Sequence, residues 1–180
     1  LTEEDLAGRL SASRTPIREA LVRLELEGYA ERGPQNRLMV RRTTPREIEE
    51  WFEVRELIET YAARRAIERI SDSEIAELAA LVEKDVQALI QGRVDQLALL
   101  NERIHGILYR ASRNRILVGL LTRMQGRVFG LSAFAVGTAE QQEAFVREHA
   151  AMVRFLSDGS GPEAAEVMRQ HLWRARDTLI

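Results

Sequence analysis

Three histidines are the residues of this chain best suited to chemistry: His105, His149 and His171. Each falls on the apolar stripe of its own helical stretch. His105 is in register with Leu97, Asn101 and Leu108, His149 with Phe145, Met152, Val153 and Leu156, and His171 with Ala164, Met168 and Ala175. A lone inward histidine is more often a hydrogen-bonded core residue than a ligand. Three on buried faces suggest a shared use, because neutral imidazole is a common metal ligand. Three of them with an open position suit a divalent ion, zinc first and nickel or manganese next. Asn101 precedes His105 by four residues, so both project from one helix face. Three His with an open position would also serve a metal-dependent hydrolase. That alternative needs a general base. Glu102 and Glu148 stand beside inward positions and are expected to point elsewhere, and no His-Glu-x-x-His helix is present.

Two further groups carry charge in suggestive places. Arg55 falls at the centre of a face formed by Ile48, Phe52, Ile58, Ala62 and Ala66. A guanidinium turned into a bundle needs a partner. That partner is either an internal glutamate or the carboxylate of a small effector, bridged between Arg55 and the metal. Near the start of the chain, Arg14 and Arg18 are four apart and share a face, with Ser13 and Thr15 offering hydroxyls to phosphates. Arginine on guanine is the commonest specific base contact. In a chain with 25 Arg and a single lysine, Lys84, an arginine-rich solvated face is the bland reading of the same residues.

The elements that must position these residues follow from periodicity and punctuation. Thr2 caps a short helix bearing Leu6 and Leu10 as its apolar face. A break at Ser11-Ala12-Ser13 precedes a second helix with Pro16 at its first position, a stripe of Ile17, Leu21 and Leu24, and Gly28 as its stop. Residues 29–32 and 38–41 flank a turn at 33–36, a small hairpin with Arg37 at its tip. Helix, tight turn, helix and hairpin form the winged helix-turn-helix layout, in which the second helix enters the major groove. Arg37 could then enter an adjacent minor groove. Thr43-Thr44-Pro45 marks the boundary between a piece at 1–42 and one at 43–180. The latter divides into about six helical stretches: 45–70, 71–91, 94–111, 115–135, 138–158 and 162–180. Short links between long helices imply an antiparallel all-α bundle.

Composition narrows the function classes. The 180 residues are 45% hydrophobic and 30% charged, with 15 Pro and Gly together, which favours a folded, mostly α protein. Absent cysteine excludes disulfides, thiolate metal sites and cysteine nucleophiles. No apolar run approaches the roughly 20 residues of a membrane helix, and no export signal leads the chain. A soluble, cytoplasmic protein is expected. The net charge of −2 conceals an imbalance, +1 over 1–42 and −3 over the rest. The chain begins at Leu1 within a helix start and is expected to be a fragment.

The ordered motifs resemble a known family. Glu3-Asp5-Leu6-Ala7, then Ser13-Arg14-Thr15-Pro16-Ile17-Arg18-Glu19-Ala20-Leu21 and Leu24-Glu25-Glu27-Gly28, are similar to the DNA-binding domain of the GntR bacterial repressors. Asn101-Glu102-Arg103-Ile104-His105 with Leu108-Tyr109-Ala111-Ser112-Asn114, Glu148-His149, and Met168-Arg169-His171-Leu172 resemble the FCD-type ligand-binding domain of their FadR subgroup. The resemblance implies DNA contacts by Arg14, Thr15 and Arg18, supported by Ser13. It places a divalent metal on Asn101, His105, His149 and His171, where the first position is often Asp. It also puts the family's first winged-helix helix before Leu1. A metabolite-responsive repressor, dimeric on a near-palindromic operator and not an enzyme, is the resulting expectation.

Overall fold

The computed structural model describes residues 2–128 and 137–180, which form two compact units, Leu1–Thr44 and Pro45–Ile180. In the first, α1 (Glu3–Leu10) begins where the Thr2 hydroxyl accepts the Asp5 backbone N–H, with three acids in its first turn facing the positive helix end. Ser11 takes a left-handed conformation at its end (φ 51°). Helix α2 (Arg14–Leu26) starts two residues earlier than Pro16 suggested, with Ser13 as its N-cap. Pro16 is tolerated there because first-turn N–H groups have no intrahelical acceptor. Gly28, at φ 79°, supplies the left-handed residue just beyond the helix. Strands β1 (Ala30–Arg32) and β2 (Leu38–Val40) pair antiparallel, Ala30 opposite Val40 and Arg32 opposite Leu38. Ile17, Leu21, Ala30 and Leu38, with Leu6, Ala7 and Ala12 packed against them, are the small core. Leu10 and Leu24, expected on the apolar stripes, are exposed. A core this small has room for about one face of each short helix.

The second unit is a helical bundle. Its described helices are α3 (Pro45–Ile67), α4 (Asp72–Ile90), α5 (Val94–Ala111), α6 (Arg115–Val128), α7 (Ala139–Ser157) and α8 (Gly161–Leu179). The expected continuation of α6 to residue 135 lies outside the described residues. Ser71 and Glu74 form a reciprocal capping box at α4, and Thr138 and Gln141 form another at α7. Helix α3 ends three residues short of Ile70, which leaves the chain room to turn into the Ser71 cap. Helix α8 lies on α3 and α7, α4 on α5 and α7, and α3 also on α5. Phe52, Leu78, Leu97, Ile104, Leu108, Phe145, Met152, Met168 and Leu172 fill the space between them. The histidine-bearing helices α5, α7 and α8 thus converge on the same interior. Among the described residues, no helix is long and apolar enough to cross a membrane.

Because the Ser71 hydroxyl and the Glu74 carboxylate each satisfy a backbone N–H of the α4 start, Ser71→Ala should cost about 1 kcal/mol. A lowered urea midpoint at unchanged slope would show it.

Candidate metal centre and nucleic-acid interface

Helical spacing sets the polar interior. On α5, Asn101, His105 and Tyr109 recur every four residues and so share a face. Helices α7 and α8 bring His149 and His171 to it, and all three histidines are at most 3% exposed. A ligand nitrogen from each lies within 4.8 Å of the others. His105 Nε2 and His171 Nε2 are 3.2 Å apart, and His149 Nε2 is 3.2 Å from the Asn101 Oδ1. The expected metal-site residues are therefore brought together.

Each imidazole is held by a carboxylate on its outer nitrogen. His105 Nδ1 is 3.2 Å from Glu59 Oε2, His149 Nδ1 is 2.6 Å from Asp85 Oδ2, and His171 Nδ1 is 3.2 Å from Glu148 Oε2. A carboxylate accepts, so in the neutral form of each ring Nδ1 carries the proton and Nε2 the lone pair. Burial lowers the pKa of His105 against the pull of Glu59. Burial, and then the neighbouring His149 and His105, push His171 well below the usual range. Two neutral rings that present lone pairs to each other at 3.2 Å repel unless a cation lies between them. A tetrahedral ion with bonds of about 2.0–2.1 Å spaces its nitrogens by about 3.3 Å. The donor set fits a divalent metal.

Arg55 occupies the face expected of it, and its partner is internal: Nε donates to Glu59 Oε1 at 2.6 Å. The Tyr109 hydroxyl donates to Glu59 Oε2 at 2.5 Å. Burial raises the pKa of Glu59, but Arg55, with His105 and Tyr109, outweighs it and holds the carboxyl at about 2. The charge of Arg55 is felt at His105 and His171. Glu148 corrects an expectation. It does not point away from the site but reaches His171 across the α7–α8 contact, and Arg174 Nε donates to its other oxygen at 2.7 Å. Sequence reasoning missed Glu59, Asp85 and Tyr109. The signals were present: Glu59 and Tyr109 follow Arg55 and His105 by four residues, and Asp85 keeps register with Leu78, Leu81 and Ala88.

In the first unit Ser13, Arg14, Thr15, Arg18 and Arg37 are all exposed. Arg18 makes a two-pronged contact with Glu3, at 3.0 and 3.1 Å, and Arg14 Nη2 is 2.9 Å from Glu4 Oε1. The acids that start α1 thus hold the two arginines at the start of α2. Such exposed pairs are worth about 0–1 kcal/mol, so a phosphate or a guanine edge can replace them.

Comparison with known proteins agrees with both halves. A family model described as the FCD domain matches residues 50–174, and one described as bacterial regulatory proteins of the gntR family matches residues 1–40. The chain belongs to the GntR family, with an FCD domain. It is 29% identical to the HTH-type transcriptional regulator McbR of Escherichia coli K12, over 96% of this chain and 80% of that one. With the HTH-type transcriptional repressor RspR of the same strain it shares 23%, over 99% and 78%. The solved structure of E. coli McbR/YncC superposes with a TM-score of 0.81 at 22% identity, covering 96% of this chain and 82% of that one. The metal-free FCD domain of TM0439 gives a TM-score of 0.65 at 19% identity, over 78% and 96%. As a GntR-family member the chain is a metabolite-responsive, DNA-binding transcriptional regulator and not an enzyme. The hydrolase alternative finds no support.

In this regulator the Arg55–Glu59 pair has a measurable weight. Removing the carboxylate strands a buried guanidinium, so Glu59→Ala should cost about 3–5 kcal/mol. The folded pKa of about 2 lies below the ordinary 4.5, so the contribution of Glu59 is complete above about pH 4.5 and is lost as pH falls toward 2. The stability gap between wild type and Glu59→Gln, read by urea unfolding, should narrow through that window.

Proposed function

We propose that the protein is a repressor of the FadR subgroup, in which residues 1–42 read operator DNA and residues 43–180 sense a small carboxylate through a divalent metal. The convergence of three buried histidines, each tied outward to a carboxylate, carries the reading. His105, His149 and His171 would hold the ion, with Asn101 as a fourth donor. Zinc suits an all-nitrogen trio best, with nickel or manganese as alternatives. When bound, the ion supplies a Lewis-acid position for a hard anionic oxygen. Arg55 adds positive charge from α3, so a carboxylate bridging the two would share the guanidinium with Glu59. The effector would thereby bias how α3, α5 and α8 pack, at a coupling of about 1–3 kcal/mol.

On the DNA side, Arg14 and Arg18 would leave Glu4 and Glu3 for base edges, Ser13 and Thr15 would bind phosphates, and Arg37 would reach the neighbouring groove. A homodimer matches two half-sites about one helical turn apart. An exposed apolar row on α3, Val54, Leu57 and Tyr61, recurs at helical spacing and is available to a second copy. That the relative RspR is a transcriptional repressor supports the direction of control. Binding operator DNA would require a cytoplasmic location.

Two measurements check this. Arg14→Ala and Arg18→Ala should each weaken binding to a duplex selected by wild-type protein from a random pool, with the melting temperature unchanged. Mobility-shift titration reads the loss, and undiminished affinity would refute the interface. Protein purified without chelator should contain about one divalent ion per chain. After stripping, added Zn2+ should raise its Tm, because a ligand that binds only the folded state stabilises it. No ion and no rise would refute the metal reading.

A further inference from the structure

The three carboxylates behind the histidines are not equivalent. Glu59 is shared between His105 and Arg55, and Glu148 between His171 and Arg174. Both negative charges are therefore matched by an arginine. Asp85 is different. It is fully buried on α4, its Oδ2 meets His149 Nδ1 at 2.6 Å, and its Oδ1 has no hydrogen-bond partner among the described residues. No arginine or lysine among those residues pairs with it. A buried carboxylate with one oxygen unpartnered and no arginine or lysine beside it is costly, and persists where something else compensates it.

The far side of the same ring shows what that is. On the other side of the ring, His149 Nε2 is 3.2 Å from Asn101 Oδ1. The inner donors are three neutral imidazoles and a neutral amide, so a dication among them finds no anionic ligand. Its counter-charge has to sit one residue further out. Among the described residues, Asp85 is the one carboxylate of the three that pairs with no arginine.

We propose that Asp85 is the built-in counter-charge of the divalent ion: a positioning residue that orients His149 and carries a buried negative charge, paired with no arginine or lysine among the described residues, which a bound ion would offset. The inference rests on the metal-binding reading above and adds to it the residue that sets affinity without touching the ion. Outer carboxylates on ligand imidazoles fix the tautomer and raise ligand basicity, and their loss costs about ten- to a hundredfold in metal affinity.

The test compares chelator-stripped wild type, Asp85→Asn and Glu148→Gln. Zn2+ affinity is measured by competition with a chromophoric chelator, Tm is measured with and without saturating Zn2+, and the visible spectrum of the Co2+ form reports ligand geometry. Asp85→Asn should bind Zn2+ about ten- to a hundredfold more weakly, with an altered Co2+ spectrum and a smaller Zn2+-induced rise in Tm. Its metal-free Tm should equal or exceed that of wild type, since a buried charge with an unpartnered oxygen has been removed. Glu148→Gln, whose charge Arg174 already balances, should lose less than tenfold. Unchanged Zn2+ affinity in Asp85→Asn overturns the proposal. So does a lower metal-free Tm or failure to fold, either of which shows Asp85 already balanced within the bundle, for instance by a protonated His149. Equal losses in both variants deny Asp85 its separate place and also overturn it. Wild type that binds no Zn2+ sinks the metal reading itself, whereas wild type that binds while Asp85→Asn is unaffected sinks only this inference.

Discussion

An imidazole inside an apolar bundle has two nitrogens to satisfy, and the interior of this protein is organised around that requirement. If all six nitrogens of the trio sought partners within the cluster, the rings would compete for protons and the bundle would pack loosely. Instead the outer nitrogens are taken by Glu59, Asp85 and Glu148, contributed by α3, α4 and α7. Those contacts orient the rings, and the rings bring together α5, α7 and α8. Arg55, Tyr109 and Arg174 are then needed to hold the carboxylates. A polar network of this size is tolerable in an apolar core only when nearly every member is satisfied, and among the described residues of the outer ring the one oxygen without a hydrogen-bond partner is Asp85 Oδ1.

The inner ring of this site was legible in the sequence and the outer ring was not. Histidine is rare enough that three on apolar stripes stand out, and Asn101 follows from its four-residue step to His105. The carboxylates are camouflaged, because 28 acids are distributed along the chain and most lie on solvated faces. Glu148 misled for a geometric reason. It neighbours inward-facing His149 on α7, and helical periodicity turns it off the stripe, but α8 packs on that flank and closes the distance to His171. Periodicity describes one helix at a time, whereas a contact between α7 and α8 depends on how two helices lie together. The bundle itself was readable because its links are short and its caps explicit. Helix starts drifted by a residue or two where a proline stood inside the first turn.

The two units handle charge in opposite ways. Arg14 and Arg18 make their ion pairs in water, where exchanging Glu4 or Glu3 for another anion costs little, so they are suited to repeated engagement and release. Arg55 makes its pair with a fully buried Glu59 and is itself largely buried, so separation is expensive and the partner is permanent. The same side-chain chemistry serves as a replaceable contact in one unit and as a fixed strut in the other.

The contacts that build the polar centre join residues far apart along the chain, 46 positions for His105 with Glu59, 64 for His149 with Asp85 and 66 for His105 with His171. Each closes a long loop, so the entropy of the intervening chain must be surrendered before any of them forms. The capped helices α4 and α7 are local structures that can form before these contacts close. An occupant that stabilises contacts made only late in folding is expected to lengthen the lifetime of the folded bundle by slowing unfolding, and to leave the rate of folding almost untouched.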